Sequence, residues 1–544
     1  MEIAELMKEM NAKCLIALPN SGASKLASLY SNYNRQSNEL TILTHSSAFL
    51  SKFEEFDTEN VGLMLSHPIT RLIDSYRAFK ATPDFNQTFE AFYAEPQRVN
   101  FYSRVLAGVE LSSLGYVAIT EAFFKAVLLL EGWCGGEYYR IPYGALIDKK
   151  DTFELDEKTL NEINSLYRDD ILLYERAKLI FEEKWHTYLQ KVKLDIAASK
   201  QLYVHLGPPK TGTSALQLWL NQSVTELSEK GIDYPKHGTD INDVSSGNFD
   251  QIISADTDRN QYFDDQKAKS MVSSFNCSSY NLLLLSSEHF FYYLPWFFTR
   301  LPSANYIFYV RHPIPSVESN YHQEVKRHGH TSAFKLPQKI DFNHLKIVSE
   351  MAMEFGVTIT YRYFSEATFE GGTLYTDFRA CIPQFIDVPA VSRKLNTQFS
   401  AGALELMRKA NRIADQDALK QLDFFLQKVS EDKPNFSLIS PNEIERLKRE
   451  LESSVESIVL SNPQLDINKL KKLLESFKPS PFCKEDDILI DFNKVLSLLK
   501  REKPLLALTL YKQAQGHEKN DWAEKLKPSK LSLLWARSKG FFRG

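Results

Sequence analysis

The run Leu202-Tyr-Val-His-Leu-Gly-Pro-Pro-Lys-Thr-Gly-Thr-Ser-Ala-Leu-Gln-Leu-Trp-Leu220 constrains this chain more than any other. Leu202 to Leu206 read as a short buried strand, Gly207 to Thr213 as a turn rich in Gly and Pro, and Ser214 to Leu220 as a helix with apolar spacing. A strand that turns through small residues into a helix makes an anion site. The first N–H groups of a helix have no partner within it, and the helix dipole favours negative charge there. Gly212 admits a close backbone approach, Thr211, Thr213 and Ser214 add hydroxyls, and Lys210 adds a mobile cation. The fold class expected is α/β with a central parallel sheet.

The loop differs from the nucleotide-triphosphate loop G-x-x-x-x-G-K-[ST], which puts lysine directly after the second glycine. Here Gly207 and Gly212 have that separation, but Thr213 fills the lysine slot and Lys210 precedes the glycine. The lysine therefore reaches a different point on a phosphate chain, which argues against an ordinary kinase or ATPase. The order Pro209-Lys-Thr-Gly-Thr-Ser214 resembles the 5′-phosphosulfate loop of sulfotransferases that use 3′-phosphoadenosine 5′-phosphosulfate (PAPS).

A second segment strengthens the resemblance. Asn305 to Val310 read as a strand, and Arg311-His-Pro-Ile-Pro-Ser-Val-Glu-Ser-Asn-Tyr321 runs from its end into a helix. Arg311 with a serine eight residues on, Ser319, is similar to the sulfotransferase motif that holds the 3′-phosphate of PAPS. A guanidinium suits a phosphate dianion through paired N–H bonds. Two anion sites in this order imply a P-loop-type three-layer sandwich that binds both ends of one nucleotide. The resemblance covers about 200–460, including 395–407, which looks like the closing part of bacterial sulfotransferase domains.

The first half echoes the second. Cys14 to Leu18 read as a strand followed by Pro19-Asn-Ser-Gly-Ala-Ser24, which lies on Pro209 to Ser214 residue for residue. Leu63 to Tyr76 parallel Phe308 to Tyr321 in the same way. Two paired segments in one order suggest a duplication, with Asn20 in place of Lys210, Ser66 in place of Arg311 and Asp74 in place of Ser319. Three segments follow. Residues 1–190 read as a degenerate sulfotransferase-like domain without donor chemistry, 198–475 as the PAPS-dependent domain, and 480–544 as a helical extension. Residues 155–197 are expected to form one or two helices, and 236–266 an irregular excursion near the acceptor site.

With 544 residues, 43% apolar and 25% charged, the chain has the composition of a globular protein of several domains. A net charge of -4 gives no electrostatic case for nucleic acid. The five scattered cysteines suggest neither a disulfide framework nor a metal site. With no signal-peptide pattern, a cytoplasmic location is expected. The basic, Leu- and Trp-bearing end, from Lys525 and Lys527 to Arg543, is read as a docked terminal helix, with contact to the inner face of an anionic membrane as the alternative.

The resemblance implies transfer of a sulfuryl group from PAPS to a hydroxyl or amine of an acceptor such as a glycan or glycolipid. Adenosine 3′,5′-bisphosphate is then the product, and no metal is expected. Pro209, Lys210, Thr211, Gly212, Thr213, Ser214, Arg311 and Ser319 are the expected donor-binding residues. Lys210 would also stabilise the leaving oxygen. Glu288, with His289 as the competitor, lies in the polar end of the strand segment 280–291 and would take the acceptor proton. A non-catalytic nucleotide- or glycan-binding scaffold and a small-molecule P-loop kinase are the competing readings. The oligomeric state is not legible.

Overall fold

The computed structural model describes residues 13–33, 40–44, 57–135, 138, 153, 155–238, 245–385, 398–431, 433–515 and 521–529. The chain is α/β with parallel sheets.

The first sheet is built from β1 (Lys13–Ala17), α1 (Ala23–Tyr33), β2 (Leu40–Thr44), β3 (Val61–Leu65), α2 (Pro68–Lys80), β4 (Tyr116–Ile119) and α3 (Phe123–Cys134). Its order is β2-β1-β3-β4, with every pair parallel. β3 and β4 are buried along their whole length, so they read as continuous apolar runs instead of alternating ones. A short helix at 157–166 leads into α4 (Arg168–Val192), as the Pro- and Gly-free sequence predicts. α4 packs along β4. Its buried residues Tyr174, Ala177, Phe181, Trp185 and Tyr188 recur every three or four positions.

The second sheet contains β5 (Gln201–His205), β6 (Ile232–Asp233), β9 (Leu282–Ser286), β10 (Asn305–Val310) and β11 (Ile359–Tyr363) in the order β11-β10-β5-β9-β6. β5 pairs in parallel with both β9 and β10. α5 (Thr213–Gln222) follows β5, α6 (Pro313–Arg327) follows β10, and α7 (Asn343–Phe355) precedes β11. From β5 the chain first fills one side, going to the edge strand β6 and back to β9 beside β5, and then builds outward on the other, through β10 and β11. The order therefore reverses at β5, and in parallel sheets ligands bind beyond the strand ends at such a point. β1 has the same position in the first sheet, with β2 on one side and β3 and β4 on the other.

The described part of the stretch 236–266, residues 236–238 and 245–266, is more ordered than its composition suggests. It contains a 3-10 turn at Phe249–Gln251 and an antiparallel hairpin of β7 (Ile253–Ala255) and β8 (Gln261–Phe263). Two short strands joined by polar residues are too brief to show periodicity.

By compactness the chain divides into two units. One comprises 1–207, 224–307 and 347–359, and the other 208–223, 308–346 and 360–544. These cut across the three sequence segments, because a parallel sheet returns the chain to its edge after every crossover. In the second unit α8 (Ala401–Ala410), α9 (Gln416–Ser430), α10 (Glu485–Glu502) and α11 (Pro504–Ala514) share one core around Leu404, Met407, Phe425, Phe492, Leu496 and Leu510. Ser400 caps α8, accepting from the Ala403 N–H. Gly402 lets α8 and α10 touch: a Cβ there would lie 2.2 Å from the Phe492 nitrogen. The helices from 485 onward are therefore core elements and not an appended extension. Leu526 is fully buried in the same core, and Lys525 reaches Asn493 Oδ1 at 3.2 Å. The remaining tail residues, 530–544, lie outside the described residues, and no described helix is long and apolar enough to cross a membrane.

Candidate anion-binding site

The loop after β5 holds three residues in the left-handed region: Gly207 (φ +54°), Lys210 (φ +71°) and Gly212 (φ +75°). Gly207 runs close to the β9 end, where a Cβ would meet Glu288 Cα at 2.8 Å. Gly212 is excluded from bearing a side chain twice over, by its φ and by a Cβ position 2.4 Å from Leu374 Cδ2 and 2.9 Å from the Phe364 ring. It is also the N-cap of α5 and offers no side-chain cap. The Gly212 carbonyl takes the N–H groups of Ala215 and Leu216, which leaves the first turn of the helix for an outside acceptor.

The loop side chains divide into two sets. Lys210 is exposed, and Pro209 and Ser214 are half-buried. Thr211 is fully buried and donates its hydroxyl to the Pro208 carbonyl at 2.9 Å, 3.3 Å from the Thr213 hydroxyl. Thr211 therefore staples the turn, contrary to its expected use as a hydroxyl donor to a ligand. A residue inside so tight a turn meets the backbone before it meets solvent.

Arg311 follows β10, and His312 caps α6 by accepting the Ile314 N–H on Nδ1 at 3.2 Å. Nδ1 being the acceptor, the ring proton sits on Nε2, which is buried without a partner. Arg311 Nη1 is likewise buried without a partner. Burial pulls the guanidinium down to about 10, which leaves it charged at neutral pH. Two other arginines of the chain, Arg300 and Arg362, have carboxylate partners, and Arg71, whose Nε and Nη2 also lack hydrogen-bond partners, lies 3.9 Å from Asp170. Arg300 Nε and Nη2 donate to Asp265 at 2.9 and 3.1 Å, and Arg362 Nε donates to Asp377 at 3.0 Å. An arginine buried without an anion costs free energy unless a ligand supplies one. His344, near the start of α7, is held below the usual imidazole range by its burial and then by Arg311. Ser319 lies half-buried on α6.

Two further basic residues, a histidine and a lysine, escaped the sequence reading. His322 and Lys326 stand three and seven residues after Ser319, on the same face of α6. Their signal was the spacing itself, which in a helix of mixed polarity reads as an ordinary solvated face.

Glu288 and His289 belong to the other unit. β9 stops at Ser286, and Glu288 has helical backbone angles ahead of a 3-10 turn at His289–Tyr293. The alternation of strand faces therefore does not choose between them. His289 Nδ1 lies 3.2 Å from Gln261 Oε1, and its ring stacks on Phe249 at 4.8 Å, so it is held as part of the packing. Ser286 and Ser287 are committed too, to His205 Nδ1 at 2.9 Å and to the Ser246 carbonyl at 2.5 Å.

The loop after β1 repeats two of these left-handed positions, with Asn20 at φ +55° and Gly22 at φ +77°, while Ala17 in place of Gly207 does not share the third. His67 caps α2 as His312 caps α6. Here, however, the chain satisfies its own loop. Asn20 Nδ2 donates to Ser75 Oγ at 2.7 Å, Ser66 Oγ donates to the Asn20 carbonyl at 2.9 Å, and Thr120 Oγ1 donates to the Ser21 carbonyl at 2.7 Å. No family model, curated protein or solved structure matches this chain.

Proposed function

We propose that this protein is a sulfotransferase that moves a sulfuryl group from PAPS to a hydroxyl of a glycan or glycolipid acceptor. The observation that carries the reading is Arg311, a guanidinium at a strand end whose Nη1 is buried without a partner among the described residues. It belongs to the same compact unit as the uncapped first turn of α5. Two anion-seeking features, one a guanidinium fork and one a helix N-terminus, suit the 3′- and 5′-ends of a nucleotide phosphorylated at both.

In this reading the acceptor oxygen attacks sulfur and the bond from sulfur to the bridging phosphate oxygen breaks. The acceptor proton passes to Glu288, the base that the sequence resemblance favours. Negative charge develops on the bridging oxygen, where Lys210 and the α5 N–H groups stabilise it. Arg311 and Ser319 hold the 3′-phosphate. His289 is the weaker base candidate because Gln261 and Phe249 engage its ring. The two sheets, each with its left-handed loop and histidine-capped helix, support a tandem pair of P-loop-type sandwiches. The first copy has closed its loop with its own side chains. A cytoplasmic location belongs to the same proposal.

Calorimetry with adenosine 3′,5′-bisphosphate against ADP tests the donor assignment. Tight binding of the bisphosphate, with transfer from labelled PAPS to lysate glycans, is expected. Preference for ADP with Mg²⁺ would turn the reading toward a kinase, and binding without transfer toward a scaffold.

A further inference from the structure

α6 carries a feature that the 3′-phosphate assignment leaves unused. Ser319, His322 and Lys326 line one face over about 10 Å of helix. His322 stacks on Phe436 with ring centroids 5.4 Å apart, and its Nε2 is buried without a partner. Lys326 Nζ lies 4.7 Å over the Phe399 ring and 3.9 Å from Asp423 Oδ1. Arg327 Nη1 donates to the other oxygen of Asp423 at 3.1 Å, so that single carboxylate is shared by two cations. Lys210, from the loop, is close enough to act electrostatically on both His322 and Lys326. Loop and helix face thus bring together more positive charge than Asp423 neutralises.

We propose that His322 and Lys326, together with Lys210, seat the 5′ end of the donor, its phosphate and the sulfuryl group it carries, and that donor binding draws a proton into this seat. The inference rests on the PAPS reading and extends it to two residues outside the loop. His322 offers a buried ring nitrogen to a phosphate or sulfuryl oxygen, and Lys326 offers a charge at the end of the stripe. The Lys326 amine already lies over the Phe399 ring, so little side-chain freedom is lost on binding.

The proton follows from the surroundings. Burial, then the charges of Arg327 and Lys210, pull Lys326 down to about 8 against the opposing pull of Asp423. Burial, then Lys210 and Lys326, push His322 down to about 4. A bound dianion reverses the local field and favours the charged forms. Near pH 8 a sizeable fraction of Lys326 is neutral in the empty protein and becomes charged on binding. Affinity therefore rises as pH falls through this range, and the Lys326 contribution levels off once the amine is charged in both states.

The test is calorimetry of adenosine 3′,5′-bisphosphate with the full chain at pH 8, in two buffers of different ionisation enthalpy. Both phosphates are fully ionised there, so any proton taken up goes to the protein. The expected result is uptake of about 0.3–0.6 proton per ligand in the unaltered protein. Lys326→Met should weaken binding by about tenfold or more and remove the uptake. Lys326→Arg should bind within about threefold of the unaltered protein with no uptake, since a guanidinium does not titrate. Tight binding with no proton uptake, or uptake unchanged in Lys326→Arg, overturns the seat. Failure of the bisphosphate to bind at all overturns the PAPS reading beneath it.

Discussion

Gly212 is pressed against Leu374: a Cβ on the glycine would lie 2.4 Å from the leucine Cδ2. The loop proposed to hold the donor is thus shaped by a side chain more than 150 residues downstream. Gly212→Ala combines that overlap with a φ of +75°, and is expected to destabilise the protein by about 1–3 kcal/mol. It should also abolish bisphosphate binding. Thermal unfolding and calorimetry on the same preparation check both. Leu374→Ala in the same chain should recover part of the lost stability, because it removes the atom that clashes.

Arg311 presents the opposite case, a residue that the empty fold would do better without. Arg311→Met removes a charge whose Nη1 is buried without a partner among the described residues and keeps most of the volume. It should raise stability by roughly 0.5–2 kcal/mol while eliminating bisphosphate binding. Urea unfolding with and without the ligand reads this directly. A loss of stability in the ligand-free variant would mean that Arg311 has a structural partner and would remove the main support for the phosphate site.

Glu288 and His289 should separate by kinetics. Glu288→Gln is expected to lower turnover by about 10²–10⁴-fold with donor affinity unchanged, the range for loss of a general base. His289→Gln can keep the contact to Gln261 and should lower turnover by less than about tenfold. Initial rates at saturating PAPS check the pair, and a reversed ranking moves the base to the histidine.

A pH effect on stability is expected at Glu354. Its Oε1 accepts the Lys125 N–H at 2.7 Å near the start of α3. Burial outweighs that bond and raises the carboxyl to about 7. The folded state therefore binds a proton more tightly than the unfolded chain. This contribution is fully present below about pH 4, the ordinary glutamate range, and is lost as pH rises through 7. Glu354→Gln should raise the unfolding temperature at pH 8 by a few degrees and leave it nearly unchanged at pH 5. Melting curves at the two pH values measure it.

Gly402 tests whether the C-terminal helices belong to the fold. Gly402→Ala puts a Cβ 2.2 Å from the Phe492 backbone nitrogen, and should cost about 1–3 kcal/mol or more in urea unfolding. Truncation before Glu485 should leave Leu404, Met407 and Phe425 uncovered and give an aggregating protein in size-exclusion chromatography.

Several features were legible in the residues alone because their causes are local. The turn at 207–212 needs glycine where φ is positive, β5 and β10 are apolar runs, and Ser400, Ser440 and Pro441 mark helix starts in the structure as they do in the sequence. The echo of 14–24 and 63–76 in the second half was legible as well, and both loops share two left-handed positions.

What needed the tertiary structure was everything set by neighbours distant in sequence. Thr211 looks like a ligand donor until its hydroxyl is seen to close its own turn on Pro208. That His289 Nδ1 meets Gln261 and its ring stacks on Phe249 could not be read from the sequence. Residues 485–526 look like a tail until Gly402 brings α10 flush against α8. The charge of Lys210 and Arg311 was written in the sequence, since side-chain chemistry travels with the residue. That Arg311 Nη1 is buried without a partner among the described residues, whereas Arg300 and Arg362 have carboxylates, is decided only by which strand ends and helices fold around each one.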